Sequence, residues 1–366
     1  MKKLYVLFII LFAAVIALPA VWVFASEDVS FSDNENRMLQ TAPEFSGENV
    51  LSGDFQEDLN DWITDQFPAR DTWTALGSRI KRLTGMKDIG GAFVCSEGYY
   101  MEMITPDSID SAKYLQNLAL VKSFAERNAD CDVTLLLVPA TGAVLSDKLP
   151  AGAETYDAAA LLDAARQAAP ELNIPDLYTA LKNHDGEYIY YRTDHHWTTQ
   201  GAGIAYECLT GGRGKYSGET RLFSDSFLGT TYSKTLDSDA VPDEVSIVTV
   251  SESLRVNADG KDIDFYFAGA AVEKDKYKVF FGGNYAQVTI RGGAPNGRTL
   301  LIVKDSFANS LVPYLTADYE NIIMLDLRYF MGSVQKLVET EEVDDILFVN
   351  EMSSFAKDTN MIKLTF

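Results

Sequence analysis

Only three histidines occur in the 366 residues, and two of them, His195 and His196, are adjacent. The three cysteines, Cys95, Cys131 and Cys208, form no Cys-x-x-Cys pair. At most one disulfide can form, so a disulfide scaffold is excluded, and a structural zinc site lacks its ligands. Positive charge is also scarce, with Lys+Arg 31 against Asp+Glu 53 and a formal net charge of −22. Nucleic-acid binding rests on clustered Lys and Arg that release counterions from phosphate, and no such patch is present. The acidity instead suits a body kept soluble outside the cell. There is no internal repeat, no low-complexity tract and only one long apolar run.

That run spans Leu4 to Ala25 and follows Lys2 and Lys3. As a helix it reaches roughly 33 Å, enough to cross a hydrocarbon core. The lysines stay on the cytoplasmic side, which puts everything after Ser26 outside. Val23-Phe24-Ala25 also reads as a signal-peptidase site. A signal peptide has an apolar stretch of about 7–15 residues, so the length here favours a retained anchor. The expected location is the cell membrane, single-pass with an extracellular body, or secreted if the segment is cleaved.

Beyond this anchor or signal peptide (1–26), residues 27–54 are polar and turn-rich and read as a juxtamembrane linker. Phe55 to Leu83 shows helical spacing interrupted at Pro68, and Tyr114, Leu118, Val121 and Ala125 mark another helix face. Val133–Val138 is a continuous apolar run of the kind buried on both faces of a parallel sheet. The rhythm returns at Leu300–Val303, Asn321–Leu325 and Ile346–Val349, separated by helix-like stretches from Ser306 to about Leu315 and from Ser333 to Glu339. Strands alternating with helices predict an α/β fold of three layers, α/β/α, with a mostly parallel central sheet. Its two parts are 55–211 and 298–366. Between them, 212–297 is rich in Gly, Thr, Ser and Tyr, with alternating runs at Val245–Val250 and Tyr277–Phe281, and reads as a β-rich insertion.

Two predicted strand-to-helix turns carry complementary chemistry. Glu187–Tyr191 reads as a strand, followed by Arg192-Thr-Asp-His-His-Trp197 and a helix capped by Thr198 or Thr199. Asp194 and His196, two apart in an extended turn, can point the same way, as a carboxylate orienting a general base must. A His pair beside Trp serves equally well as structural hydrogen bonding. A metal held by Asp194, His195 and His196 lacks a convincing further ligand, so no metal and no cofactor is expected. In the other turn, Lys304-Asp-Ser306 follows a buried strand and precedes a helix, where backbone N–H groups stabilise an oxyanion. An ordinary N-cap is the competing role for Asp305 or Ser306.

Thr193-Asp-His-His-Trp-Thr198 resembles the signature of the bacterial DHHW proteins, which are similar to the SGNH hydrolase-like alginate O-acetyltransferase group. Asn34-Glu-Asn-Arg37 with Pro43, Asp65-Gln-Phe-Pro-Ala-Arg70 and Lys304-Asp-Ser306 fit the same resemblance. It implies an SGNH-like fold with Asp194 as orienter, His196 as base and Ser306 as nucleophile, the acid–base pair preceding the nucleophile. It carries no role onto His195. Asn309, Asn350 and Tyr329 are candidate oxyanion donors, and Arg328 is a candidate contact for a substrate carboxylate. The implied function is a cell-surface O-acetyltransferase for an exported or cell-wall polysaccharide, with a membrane-bound O-acyltransferase partner supplying acetyl groups. An acyl-ester hydrolase with the same triad, and a non-catalytic polysaccharide-binding or assembly protein, are the alternatives.

Overall fold

The computed structural model describes residues 2–32, 34 and 37–366; Glu35 and Asn36 of the Asn34–Arg37 stretch lie outside the described residues. The chain forms two compact units, Met1–Gly90 with Tyr232–Asp239, and Gly91–Thr231 with Ala240–Phe366.

In the first unit, α1 (Lys2–Ala25) is long and apolar enough to cross a membrane, with a mean hydropathy of 2.9 over Lys3–Ala25. Its last turn packs inward: Val23 is buried, and Phe24 meets Trp62 edge-on at 5.1 Å. Trp62 belongs to α2 (Asp54–Asp65), and α3 (Arg70–Leu83) follows. Pro68 separates them, as expected of a residue that cannot continue a helix. The Asp65–Arg70 stretch is a clasp. Asp65 receives both arms of the Arg37 guanidinium and the Gln40 N–H, while the Gln66 side chain bonds the Val29 backbone and the Gln40 carbonyl.

The second unit is built on seven strands: β1 (Asp132–Val138), β2 (Arg255–Ala258), β3 (Lys261–Ile263), β4 (Gln287–Arg291), β5 (Thr299–Lys304), β6 (Asn321–Leu325) and β7 (Asp345–Glu351). Their order is β3-β2-β4-β6-β5-β7-β1. The expectation of a mostly parallel sheet is corrected here. Strands β6, β5, β7 and β1 pair in parallel, but β3, β2 and β4 add three antiparallel pairings at the β6 edge. The mixture has a local cause, because β2, β3 and β4 come from the segment read as a β-rich insertion. Short connections there, such as Asp259-Gly260 between β2 and β3, permit antiparallel neighbours, whereas parallel ones need a crossover helix. A separate ribbon pairs Thr220–Phe227 with Asp243–Val248.

Every residue of β5 and β7 is buried, which explains their unbroken apolar text. Side chains alternate across the sheet. Leu300, Ile302, Leu347 and Val349 join a core with α6 (Thr199–Thr210) and α7 (Ala308–Leu315). Leu301, Val303, Ile346 and Phe348 join another with α4 (Ser111–Arg127), α5 (Ala158–Ala168) and α8 (Val334–Thr340). The chain leaves β5 through α7 on one face and leaves β6 through α8 on the other. Such a reversal opens a crevice beyond the strand carboxyl ends, where Ser306 and Asn350 lie.

Candidate active site

The turn bearing His196 is held by side chains more than by a strand ladder. Glu187–Tyr191, expected as a strand, makes only an isolated bridge between Tyr190 and Trp197. The tyrosines are used elsewhere: Tyr190 Oη donates to the Pro139 carbonyl at 2.6 Å, and Tyr188 Oη donates to Asp243. Asp243 also accepts from the N–H groups of Arg192 and Thr193, both at 2.8 Å, and from Thr193 Oγ1 at 2.6 Å. Thr198 then caps α6 by accepting from the Gly201 N–H. The next residue along from His196 joins this turn to the other one: buried Trp197 donates its indole N–H to the Phe307 carbonyl at 3.1 Å and to Ser310 Oγ at 2.8 Å.

Across that link, three side chains form one line. Asp194 Oδ1 lies 2.6 Å from His196 Nδ1, and His196 Nε2 lies 2.7 Å from Ser306 Oγ. A carboxylate only accepts, so it draws the imidazole proton to Nδ1 and leaves the Nε2 lone pair facing the serine hydroxyl. Asp194 Oδ2 accepts from Thr230 N–H and Thr230 Oγ1, both at 2.8 Å. The Thr230 proton is thus spent, and His195 Nδ1, 2.6 Å away, donates to that oxygen. His196 stacks on Tyr277 with centroids 3.9 Å apart and planes 11° apart, and Tyr277 Oη donates to the Ser306 carbonyl at 3.0 Å. Tyr277–Phe281, read as a strand, instead opens with a single turn, Lys276–Val279, because Asp275 caps the Tyr277 N–H.

Ser306 precedes α7 and does not cap it. Asp305 accepts the Phe307 N–H at 2.9 Å and the Glu351 N–H at 2.6 Å, which leaves Ser306 Oγ to the imidazole. The Ser306 N–H meets no acceptor among the described residues.

Burial governs the charges. Desolvation, reinforced by neighbouring His195, lowers the His196 pKa to about 4 despite Asp194, so the ring is neutral at pH 7. Burial opposes ionisation of Asp194. The adjacent histidines and the hydrogen bonds from His196 and Thr230 outweigh it and hold the carboxyl well below its usual range. With His196 neutral, those hydrogen bonds are the part of this balance that persists at pH 7. Burial also pushes Asp305 up to about 6 and Lys304 down to about 8.

Ser306 and His195 line a cavity of about 460 Å3 at the carboxyl ends of β5 and β7, together with Asn350 and Arg328. The buried Asn350 Oδ1 has no hydrogen-bond partner among the described residues. Arg328 is committed to Asp326 through bonds of 2.9 and 2.6 Å. Asn309 and Tyr329 do not line this cavity. Asn309 Oδ1 accepts from Lys304 Nζ at 2.9 Å, and Tyr329 is half exposed under the Arg328 guanidinium. Asp194, His195 and His196 offer ligand atoms within 4.8 Å of one another. The facing Oδ1 and Nδ1 atoms of Asp194 and His196 already bond each other, so a metal here would have to break that bond.

Sequence reasoning missed Thr230, Tyr277, Asp243 and Gly229. A Cβ on Gly229 would collide with the Asp194 side chain, so glycine lets this backbone close over the carboxylate. All four lie in 212–297, where nothing in the sequence signals proximity to Asp194. The one available clue was that a buried carboxylate needs more donors than a single imidazole supplies.

Residues 160–325 match the family model described as DHHW protein, and residues 99–211 match that of the SGNH hydrolase-like domain, acetyltransferase AlgX. No curated protein matches the chain. Among solved structures, a DHHW family protein from Eubacterium siraeum is 24% identical, with a TM-score of 0.66 over 76% of this chain and 96% of that one. PatB1 from Bacillus cereus is 20% identical, with a TM-score of 0.61 over 72% of this chain and 97% of that one; a second structure of PatB1, carrying a sulfonyl adduct, gives 0.60. At these identities the likeness is one of fold. With the two family models, it identifies the chain as carrying a DHHW family domain that overlaps an SGNH hydrolase-like domain of the AlgX acetyltransferase type.

Proposed function

We propose that the chain is a membrane-held, serine-dependent O-acetyltransferase acting on an exported or cell-wall polysaccharide. The observation that carries this reading is the hydrogen-bond line from Asp194 through His196 to Ser306 at the wall of an open cavity. The match to an acetyltransferase model supports the reaction class, and α1 supports attachment to a membrane. A membrane-bound O-acyltransferase as acetyl supplier belongs to the same proposal.

In this mechanism Ser306 Oγ attacks the carbonyl carbon of an acetyl donor while His196 Nε2 takes its proton. The oxyanion meets the free Ser306 N–H and the Asn350 amide, rotated to present its NH2. Collapse expels the donor's leaving oxygen, which takes the proton from His196 and leaves an acetyl ester on Ser306. A sugar hydroxyl then gives its proton to His196 and attacks that ester, releasing acetylated sugar and restoring Ser306. Asp194 stays ionised and keeps the imidazole in its working tautomer. Arg328 at the cavity wall, its Nε and Nη2 held by Asp326, offers its remaining Nη1 arm to an acidic sugar's carboxylate.

Ser306→Ala lowers turnover of a chromogenic acetyl ester by at least about 10³-fold in folded protein; unchanged turnover would end the serine reading. Supplying an acetyl-ester donor with a polysaccharide separates the classes. Acetylated polymer supports transfer, acetate alone assigns a hydrolase, and glycan binding without ester turnover assigns a binding protein.

A further inference from the structure

Helix α3 (Arg70–Leu83) presents its sides in an unusual sense. Its inward side is polar: buried Ser78 donates to the Thr235 carbonyl, and Arg82 pairs with Asp237 at 2.6 Å. Its outward side is apolar, with Trp73 58% exposed, Leu76 46%, Ile80 53% and Leu83 81%. At 100° per residue these four fall within about 80° of arc. A helix of a freely soluble body buries such a stripe; here it is exposed among the described residues.

Charge singles out the same helix. In a chain of net charge −22, the stretch from Arg70 to Lys87 has five basic residues, Arg70, Arg79, Lys81, Arg82 and Lys87, against Asp71 alone. Arg79 and Lys81 are exposed and flank the apolar stripe on opposite sides. A stripe of Trp, Leu and Ile edged by Lys and Arg is the pattern of a helix lying in a bilayer interface. The occupant is indicated by continuity as well as charge. The same compact unit contains α1, whose final turn packs on Trp62 of the preceding helix.

We propose that α3 lies on an anionic lipid surface, with Trp73, Leu76, Ile80 and Leu83 among the upper acyl segments and Arg79 and Lys81 at the headgroups. The Asp65–Arg70 clasp then has a physical purpose. By tying the segment that follows α1 to the α2–α3 corner, it fixes the height at which this face meets the bilayer. The proposal draws on the reading of α1 as a retained anchor only for proximity.

The test uses the full chain in vesicles with brominated acyl chains, which quench nearby tryptophan. Four tryptophans are present, so the share from Trp73 is the difference between native protein and Trp73→Phe. In brominated anionic vesicles that share falls to about half or less, and in brominated zwitterionic vesicles it falls less. Leu76→Gln with Ile80→Gln restores the Trp73 emission without unfolding the protein, since both side chains are exposed. An unquenched Trp73 in both lipids, in protein that still floats with vesicles at alkaline pH, overturns the proposal while leaving the anchor intact. Loss of flotation in protein whose Trp73 is quenched at neutral pH instead overturns the anchor reading. Emission that is unquenched but shifts with protein-to-lipid ratio assigns the face to a second copy of the chain. Equal quenching in the two lipids overturns the role given to Arg79 and Lys81.

Discussion

The two walls of the cavity differ in how completely their polar groups are satisfied. Behind the His195 and Ser306 wall, both Asp194 oxygens, both His196 nitrogens, Ser306 Oγ and Thr230 Oγ1 all have partners, although Tyr191 Oη and Thr231 Oγ1 in the same region are buried without one among the described residues. On the β7 wall, the buried Asn350 oxygen has none among the described residues, and the Ser306 N–H is also open among them. A buried unmet polar group costs about 1–3 kcal/mol. The Asp194–His196–Ser306 line is complete without a ligand, whereas the Asn350 amide and the Ser306 N–H stay open to one. On the reading proposed above, a proton-transfer line benefits from fixed distances, whereas an oxyanion exists only during reaction, so the Ser306 N–H and a rotated Asn350 NH2 would have no partner at rest.

The largest effect expected from this contrast is in acid. Burial lowers His196 to about 4, and in the proposed mechanism the base is the neutral ring. Ester turnover, as kcat/KM, therefore holds steady as pH falls past 6.5 and drops about tenfold per unit below about 4. An inflection near 6.5 would mean a solvated imidazole and would break the comparison at its satisfied wall. Next in size, Asn350→Ala lowers kcat by roughly 10²-fold with little change in KM, the signature of a donor used only in the transition state. A kcat within threefold of the native value would remove Asn350 from the reaction. Thr230→Val comes third. It deletes one hydroxyl bond to a charged carboxylate but leaves the Thr230 N–H in place, so about a tenfold loss is expected. If Thr230→Val matches the loss from Ser306→Ala, Asp194 depends on that hydroxyl far more than its other three bonds imply.

Much of the first wall was legible from sequence because it is local. Asp194 and His196 are two residues apart, and Thr198 announces the helix after them. Ser306 follows a run, Leu300–Val303, that only a strand buried on both faces explains. The parallel strands were legible for the same reason. The remainder depends on long-range packing. Val256, Val288 and Ile290 alternate like any surface strand, and nothing in their text says that they extend the central sheet antiparallel beside β6. Tyr277 reads as strand until Asp275 caps it, and its stacking on His196 is set by the fold of residues far from both. Glu187–Tyr191 misled through composition, because two of its strand-favouring tyrosines, Tyr188 and Tyr190, are here spent on hydroxyl bonds.

Asn309 supplies the smallest expected effect on turnover and the sharpest contrast with Asn350. Both were equal candidates as donors to an oxyanion, Asn309 by lying one helical turn from Ser306. Its side-chain oxygen is instead the acceptor for buried Lys304, whose other side-chain partner among the described residues, Asn284, is 3.4 Å away. Asn309→Ala removes that acceptor and leaves turnover per folded molecule within about twofold, while stability falls by about 1–3 kcal/mol. Burial has already lowered Lys304 to about 8. The stability loss is therefore full well below pH 8, where the amine is charged with or without that acceptor, and shrinks as pH rises towards that value. Denaturant melts at pH 7 and pH 9 measure the difference. A hundredfold loss of kcat with unchanged stability would reverse the assignment, moving the oxyanion donor from the strand end to the helix and leaving the open valence of Asn350 without a role.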